Sequence, residues 1–475
     1  MPQKIKTDIC VIGAGSGGLS VAAGCVQMGA STVLIEKDKM GGDCLNYGCV
    51  PSKAMLAAGK VAQGHRIGAE FGITGSEPAI NHKAVYAHIH GVIAAIAPHD
   101  SIERFESLGV QVIKGASRFI SPKEVAVNDM HISARRFVIA TGSQAVIPPI
   151  PGIENVNYYT NETIFSAEQF PSHLIIIGGG PIGCELAQAH RRLGAKVTIL
   201  EMFSILPKDD PELVNVVRQT LMTEGIDIRE GIKVKGVEKT ARGISIKIMT
   251  DEVESTIEGT DLLIAAGRRP NLDGLDLEAA NIKHTPVGID VDARLRTSNK
   301  KVFAIGDCAG GYQFTHVAAY HAGIVIRNAL FRIPAKVNYD AVPWVSYTSP
   351  ELAQVGLTES EARRSHGNDI RILRRSFDEN DRAKAEHQTG GMVKAIVTPK
   401  GRILGASIVG PSAGEIIQTW VLAMNEKKKI GSMASMISPY PTYGEASKHA
   451  AGSFYTPTLF SDRTRKIVKF LSFFG

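Results

Sequence analysis

The sequence contains little cysteine and no long apolar run. Six cysteines among 475 residues are too few for the disulfide framework of a small secreted protein. No run of about 18 apolar residues occurs, so no transmembrane helix is expected. There is no recognisable leader peptide and no long basic run, so we expect a cytoplasmic protein that binds no nucleic acid. The content of 44% apolar and 21% charged residues, with a net charge of +6, is that of an ordinary folded protein.

Glycine is abundant, at 48 residues, and two glycine-rich loops each follow a short apolar stretch. The first loop follows residues 7–12 and reads Gly13-Ala14-Gly15-Ser16-Gly17-Gly18. In this G-x-G-x-x-G pattern, Gly13 permits a tight turn, Gly15 lets a pyrophosphate approach the backbone, and Gly18 allows close helix packing. A small-residue helix and a second strand follow. That strand ends at Glu36, an acid placed to bind a ribose hydroxyl.

The second loop repeats this plan. It follows Leu174–Ile177, and Glu201 lies 23 residues beyond its first glycine, the same spacing as in the first unit. A doubly wound domain without nucleotide is the alternative, but the full strand–loop–helix–strand context occurs twice. We therefore predict a second dinucleotide site on Gly178, Gly180 and Gly183. Because Glu201 favours a 2′-hydroxyl and no arginine follows it closely, we expect NADH rather than NADPH there, and FAD in the first site.

A pair of cysteines, Cys44 and Cys49, lies in the glycine-rich segment after the first unit. A zinc site would need two further ligands, and no second cysteine pair or nearby histidine supplies them. A structural disulfide is not expected in the cytoplasm, so a redox disulfide fits best. The residues after Cys49 are predicted to be helical, and a helix N-terminus there would stabilise a thiolate. The other cysteines are predicted to be small buried side chains, namely Cys10, Cys25, Cys184 and Cys308.

The distribution of strands and helices predicts three domains. We interpret residues 1–150 and 271–345 as one split domain and residues 151–270 as a second domain inserted into it. From residue 346 the pattern changes to strands such as Ile403–Val409 that alternate with helices. Residues 346–475 are therefore predicted to form a third, α+β domain.

The order and spacing of these motifs resemble the FAD- and NAD(P)H-dependent pyridine nucleotide–disulfide oxidoreductases. That family includes dihydrolipoamide dehydrogenase, glutathione reductase and mercuric reductase. The matching segments are Gly13–Gly18, Gly42–Lys53, Ala140–Ser143, Gly178–Glu185, Gly267–Asn271 and Gly306–Asp307. The resemblance implies an α/β fold with two Rossmann-like domains, for FAD and NAD, and a C-terminal α+β dimerisation domain. It also implies a homodimer that carries electrons from NADH through FAD to the Cys44–Cys49 disulfide.

The resemblance also implies roles for individual residues. Cys49 corresponds to the thiol beside the flavin and Cys44 to the thiol that exchanges with substrate. Lys53 and Glu185 resemble the family's ion pair near the flavin, and Asp307 resembles the residue that binds the ribityl chain. Further cofactor contacts are implied at Lys37, Gly42, Lys53, Thr141, Gly142, Gly267 and Gly306. No metal site is expected. Some members place an aromatic gate over the nicotinamide, where this chain has Pro181.

The C-terminal domain departs from the family pattern at one residue. Members that act on dithiols carry a His-Pro-Thr motif and a Glu five residues after the His, whereas this chain has Tyr440-Pro441-Thr442 and Glu445. Mercuric reductases resemble it in having Tyr there, but they also end in a Cys-Cys that this chain lacks. The substrate is therefore expected to be a small disulfide, a dithiol or a soft electrophile. Dihydrolipoamide dehydrogenase, a metal reductase and a non-enzymatic scaffold that senses NADH stay open as alternatives.

The last twenty residues show an amphipathic pattern. Five apolar residues are spaced for one face of a helix: Ile467, Val468, Phe470, Leu471 and Phe474. Four cations precede or interleave them: Arg463, Arg465, Lys466 and Lys469. The sequence therefore predicts a helix that packs on the protein itself or its dimer mate, or that lies peripherally on an anionic membrane.

Overall fold

Two sheets whose central strands are parallel form the first two thirds of the computed structural model, which describes residues 2–74 and 77–474. The first sheet has the strand order β3-β2-β1-β6-β5-β4. Its elements, with the helices between them, are β1 Gln3–Ile12, α1 Ser16–Gln27, β2 Thr32–Glu36, α2 Gly42–Asn46, α3 Cys49–Arg66, α4 His82–Ile96, α5 Ile102–Ser107, β3 Gln111–Lys114, β4 Ser117–Ser121, β5 Glu124–Val127, β6 Met130–Ile139 and the short β7 Ser143–Ala145.

The apolar half of β1 lies at the centre of this sheet. Val11 pairs with Leu34 on β2 and Val138 on β6, and all three side chains are buried. Strands that are buried on both faces need a continuous apolar run, which is what residues 9–12 supply. The parallel order brings the carboxyl end of β1, and the loop that follows it, to the edge where a ligand binds in such folds.

The second sheet has the order β10-β9-β8-β14, and a three-stranded antiparallel sheet, β11-β12-β13, packs beside it. Its elements are β8 His173–Ile177, α6 Pro181–Arg192, β9 Lys196–Leu200, α7 Pro211–Thr223, β10 Asp227–Arg229, β11 Lys233–Thr240, β12 Gly243–Thr250, β13 Val253–Gly259 and β14 Asp261–Ile264. The sequence pattern predicted β8, α6 and β9, but it did not predict the antiparallel sheet.

The chain then returns to the first sheet. The elements of this return are β15 Arg268–Pro270, β16 His284–Thr285, β17 Gly288–Ile289, β18 Val302–Ala304 and α8 Thr315–Ala329. β18 pairs in parallel with β6, so both stretches of the predicted split domain contribute to the first sheet, whereas β15 and β7 form a separate two-stranded sheet. The domain boundaries themselves stay a prediction.

A five-stranded antiparallel sheet, β19-β20-β23-β22-β21, forms the C-terminal α+β unit. Its elements are β19 Pro343–Ser346, β20 Glu351–Gly356, α9 Glu359–His366, β21 Arg371–Ser376, α10 Asp381–Ala385, β22 Met392–Val397, β23 Ile403–Gly410, α11 Ala413–Asn425, α12 Ile430–Ala434, α13 Glu445–Gly452, α14 Thr456–Leu459 and α15 Asp462–Leu471. The fully buried Trp420 and Phe377 lie in its core. The mixed α/β fold that the sequence predicted is thus confirmed.

A buried ionic cluster joins this unit to the second sheet. Nζ of Lys394 on β22, whose side chain is 3% exposed, lies 2.8 Å from Asp210, 2.7 Å from Glu212 and 2.8 Å from Glu359. Asp210 caps α7, Glu212 lies in its first turn, and Glu359 begins α9. Arg374 on β21 also pairs with Glu212, at 2.8 Å. Because buried charges are tolerated only when paired, this cluster fixes α7 against β21 and β22.

The C-terminal tail departs from the predicted pattern at its end. α15 ends at Leu471, and Phe473 and Phe474 lie beyond it, so the prediction that Phe474 lies on the helix face is wrong. The N–H groups of Phe473 and Phe474 donate to the carbonyls of Phe470 and Leu471, three residues back, so the four-residue hydrogen-bond pattern of α15 gives way to a tighter turn. Within residues 2–74 and 77–474, no helix combines the length and apolar character needed to cross a membrane.

Candidate active site

The two glycine-rich loops adopt the same geometry. A Cβ on Gly18 would lie 1.8 Å from the carbonyl oxygen of Gly13, and one on Gly183 would lie 2.0 Å from that of Gly178. Only glycine permits this contact between loop and helix, as the pattern predicts. In both units the third glycine therefore draws the helix N-terminus onto the end of the preceding strand.

The two acids at the strand ends are equivalent as well. Glu36 Oε2 accepts a hydrogen bond of 2.6 Å from the N–H of Ala14, and Glu201 Oε2 accepts one of 2.6 Å from the N–H of Gly179. Each acid thus closes its own loop from the neighbouring strand. A carboxylate fixed at this position suits the ribose hydroxyls of a dinucleotide. Lys37, the next residue after Glu36, is exposed.

The helix N-termini fit the pyrophosphates of two dinucleotides. Gly15 and Gly180 are the N-cap residues of α1 and α6 and make no side-chain cap hydrogen bond, so N–H groups in the first turn of each helix, apart from Pro181, which has none, are left for a ligand. A Cβ on Gly180 would meet no described atom within 4 Å, which leaves room for phosphate. Free N–H groups and the helix dipole together favour an anion at such a position.

The cysteine segment lies directly on the first loop. A Cβ on Gly42 would be 2.7 Å from Cα of Gly15, and the N–H of Gly41 donates to the carbonyl of Ala14 at 2.9 Å. α2 therefore begins where the first dinucleotide would lie. This contact brings the two cysteines beside the predicted FAD site.

Cys44 lies on the short helix α2, and Cys49 is the first residue of α3, as the sequence predicted. Both are free thiols, half-buried at Cys44 and exposed at Cys49. A hydrogen bond from the Cys44 thiol lowers the pKa of Cys49 to about 6, with help from Thr315 and the charge of Lys53. The same interaction and burial raise the pKa of Cys44 well above its usual range. At neutral pH, Cys49 is therefore the thiolate and Cys44 the thiol. The other four cysteines are buried, as predicted.

Thr315, the first residue of α8, completes the surroundings of Cys49. Its Oγ1 lies 3.6 Å from Cys49 Sγ. The residue is 266 positions away in sequence, and sequence reasoning missed it. No sequence pattern indicated this contact, because it depends on the return of α8 to the first sheet.

Lys53 and Glu185 form a tight ion pair, with Lys53 Nζ 2.6 Å from Glu185 Oε2. Glu185, on α6, is buried, and its Oε1 accepts a hydrogen bond of 2.9 Å from the N–H of Tyr347. The ring of Tyr347 lies 4.4 Å from Lys53 Nζ in a cation–π contact. The sequence predicted the pair but not Tyr347. Lys53, one turn after Cys49, therefore presents a fixed positive charge near the thiolate.

Asp307 lies in a polar network beneath the first site. Ser143 Oγ donates to Asp307 Oδ2 at 2.5 Å, and burial raises the pKa of that carboxyl. Arg268 donates to Ser143 Oγ at 2.8 Å and pairs with Asp43 at 3.1 Å. Asp43 precedes Cys44, so the network connects the cysteine segment to Asp307.

The remaining predicted contacts surround this network. Gly306 shares a turn of 3-10 helix with Asp307, and Gly142 precedes β7. Thr141 Oγ1 donates to the carbonyl of Asn271 at 2.7 Å, which holds the segment after Gly267 against the end of β6. Sequence reasoning missed Arg268 and Asp43 as partners, although both lie inside motifs that it quoted.

Tyr440 and Glu445 lie in the C-terminal unit. The Tyr440 hydroxyl donates to Asp381 Oδ2 at 3.1 Å, and this contact raises the pKa of the phenol. Glu445 begins α13 and accepts a hydrogen bond from the N–H of Thr442 at 3.2 Å. The contacts of these two side chains are thus local, and the structure does not bring them to the cysteines of the same chain.

The part of the chain that the structure describes contains no group of three or more His, Cys, Asp or Glu side chains that could hold a metal ion.

Comparison with known proteins identifies the family. Residues 7–322 match the family described as pyridine nucleotide-disulphide oxidoreductase, and residues 342–451 match the dimerisation domain of that family. The chain is 34% identical to a mercuric reductase of Staphylococcus aureus over 94% of its own length and 82% of the relative. It is 35% identical to a dihydrolipoyl dehydrogenase of Thermus scotoductus over 94% and 97% of the two chains.

A solved structure is similar to this chain over nearly its whole length. The HOCl-induced flavoprotein disulfide reductase RclA from Escherichia coli matches with a TM-score of 0.83 and 27% identity, over 94% of this chain and 99% of that chain. The family uses FAD and a pyridine nucleotide, and the two open helix N-termini with their fixed acids fit both. The tail beyond residue 451 lies outside both matched segments. The chain therefore belongs to the pyridine nucleotide–disulphide oxidoreductase family and is a flavin-dependent oxidoreductase with a dimerisation domain.

Proposed function

We propose that the enzyme uses NADH to reduce a thiophilic acceptor at the Cys44–Cys49 pair, with a soft metal ion favoured over a dithiol or disulfide. The observation that carries the proposal is the polarised pair itself, in which Cys49 has a pKa of about 6 and the pKa of Cys44 is raised. A pair divided in this way keeps one thiolate beside the FAD site and offers the other sulfur to an acceptor.

The roles of this chain's residues follow from their contacts. FAD, when bound, supplies the two-electron link between pyridine nucleotide and disulfide. Thr315 and Lys53 stabilise the Cys49 thiolate, and Glu185 holds Lys53 in place. Asp307 and Glu36 are proposed to hold the ribityl and ribose groups of FAD, and Glu201 the ribose of NADH.

The class of acceptor is proposed from the way in which the Cys44 thiol can lose its proton. Attack on a disulfide requires the Cys44 thiolate, and a nearby base must then take its proton. Tyr440 is a poor base because its phenol donates to Asp381 and has a raised pKa. A soft metal ion displaces the thiol proton itself when it binds. The family names of mercuric reductase relatives, and the Cu(II) complex of RclA, agree with this choice.

The overall reactions balance without another reductant. One NADH and one Hg(II) give NAD⁺, a proton and Hg(0). With Cu(II), one NADH gives NAD⁺, a proton and two Cu(I). With a disulfide, NADH and one proton give NAD⁺ and two thiols. The second candidate, dihydrolipoamide dehydrogenase activity, runs the disulfide reaction in reverse, and it is favoured by the equally similar dihydrolipoyl dehydrogenase relatives.

The preference for NADH is proposed from the contacts of Glu201. Its Oε2 bonds the N–H of Gly179 and its Oε1 bonds the N–H of Phe203, at 2.9 Å. Two backbone donors hold the carboxylate at the end of β9. A 2′-phosphate at this position would meet that negative charge.

The test is anaerobic NADH oxidation by the flavin-loaded dimer with a panel of acceptors. The panel contains Hg(II), Cu(II), lipoamide, glutathione disulfide and a soluble quinone. We expect metal turnover that Cys44→Ser abolishes and that Cys25→Ala, which removes a buried cysteine elsewhere, leaves intact. Turnover of lipoamide at a higher kcat/KM than either metal would instead assign the enzyme to the dithiol branch. Metal reduction that survives Cys44→Ser would contradict the role of the pair.

A further inference from the structure

The C-terminal helix α15 presents an apolar surface that its own chain does not cover. None of its residues is buried, and its apolar side chains join no hydrophobic cluster of the described chain. Ile467 is 47% exposed, Phe470 61% and Phe474 75%. Burial of side chains of this size away from water is favourable. A partner outside the described chain would therefore stabilise this helix by covering them.

The charge around this surface identifies the partner. Residues 462–474 carry four cations and one acid, Asp462, so the tail holds +3 of the whole chain's +6. At 3.6 residues per turn, the apolar side chains of α15 occupy an arc of about 160°. Arg465, Lys466 and Lys469 project from the opposite arc. Arg463, Lys466, Ile467 and Phe470 line one open concavity of about 410 Å³, where the cationic arc adjoins the apolar arc.

We propose that α15 docks the enzyme on an anionic lipid surface, with its apolar side chains in the acyl boundary and its cations at the headgroups. A short amphipathic helix with lysine and arginine on one face and aromatic residues on the other binds in this way. Leu459 and Phe460, which are 57% and 68% exposed, extend the apolar face through the turn that precedes α15. The tail follows the last residue of the matched dimerisation domain, residue 451, so docking adds to the family fold without altering it.

The alternative occupant is the dimer mate. A clasp between two copies of the tail would bring eight cations together, because each copy supplies four against one acid. Like charges at close range oppose such a contact, whereas an anionic surface attracts each cation by about 1 kcal/mol. The charge pattern therefore favours lipid over a second tail.

The test uses the full flavin-loaded dimer and sedimentation with vesicles of phosphatidylglycerol and phosphatidylcholine. We expect binding that weakens with added salt and is lost on pure phosphatidylcholine. The double change Lys466→Gln/Lys469→Gln should weaken binding about 25-fold, at about fivefold for each cation removed. The matched change Lys427→Gln/Lys428→Gln, at exposed lysines in the loop after α11, should leave binding within about twofold.

A second variant separates membrane docking from dimer contact. Phe470→Ser/Phe474→Ser removes two exposed rings and should abolish vesicle binding while the protein stays dimeric in sedimentation velocity. Anionic vesicles that fail to bind the wild type would overturn the proposal. Equal losses of vesicle binding in the two double lysine variants would also overturn it, since binding would then depend on the total charge of the protein. A variant that becomes monomeric without vesicles would assign the tail to the dimer interface and also overturn it.

Discussion

The division of charge between the two cysteines can be tested by removing the hydrogen bond that creates it. In Cys44→Ala, Cys49 loses the thiol donor that does most to lower its pKa to about 6. A hydrogen bond to a charged group is worth about 1.5–3 kcal/mol, which is about one to two pKa units at 1.36 kcal/mol per unit. The pKa of Cys49 should therefore rise to between about 7 and 8. The thiolate fraction at neutral pH would fall from about nine-tenths to between about one-half and one-tenth.

The matched variant is Cys44→Ser, which keeps a hydroxyl donor at the same position. Its Cys49 pKa should stay within about one unit of 6. The assay follows the ultraviolet absorbance of the thiolate against pH, with Cys44→Ser/Cys49→Ser as the blank. Because the four remaining cysteines are buried, the difference reports Cys49 alone. If the alanine and serine variants titrate together, the Cys44 thiol is not the cause of the low pKa and the argument is refuted.

Four further predictions concern the cofactor, the substrate and the contact between the second sheet and the C-terminal unit. Glu201→Ala should raise kcat/KM for NADPH relative to NADH, because it removes the charge that opposes a 2′-phosphate; equal cofactor use by the wild type would refute the argument. Tyr440→His should speed lipoamide turnover, since a positioned general acid–base group such as imidazole raises a rate by about 10²–10⁴-fold. Steady-state rates that show no gain would mean that another group already moves the proton. Lys394→Met should lower the free energy of unfolding in guanidinium by about 3–5 kcal/mol, because it leaves the buried carboxylate of Asp210 without a cation, whereas the exposed Lys300→Met should not. Arg374 lowers the pKa of Glu212 to about 2. The ionised carboxylate therefore contributes its full stabilisation of the fold above its ordinary pKa of 4.5, and this stabilisation should be lost as the pH falls through about 2. Thermal melts recorded against pH would show the loss.

The sequence was sufficient to predict those parts of the candidate site that are formed by residues close together in the chain. The loops at Gly13 and Gly178, the acids that close them and the helix that begins at Cys49 are all local patterns, and the structure contains each of them. Glycine spacing carries this information because a Cβ at Gly13, Gly18, Gly178 or Gly183 would overlap a backbone carbonyl oxygen. The chemical roles assigned to these residues stay predictions.

The parts that could not be predicted depend on distant segments. Thr315 approaches Cys49 only because α8 returns to the first sheet, and Arg268 meets Asp43 only because β15 pairs with β7. No periodicity in either segment encodes its partner. Similarly, the pattern of the tail predicted a helix but could not show that the rest of the chain leaves it uncovered. Contacts of this kind follow from topology, which sequence spacing constrains only weakly.

The Lys53–Glu185 pair has a mechanical consequence. Its members come from α3 and α6, and the N–H that completes it comes from Tyr347 of the C-terminal unit. One turn along α6, Gln188 exchanges two hydrogen bonds with the backbone of Ser349, at 2.7 and 2.8 Å. Three units of the chain therefore meet at one joint that cannot rotate without separating a buried charge from its partner. Any motion of these units against one another at this joint would have to break those contacts.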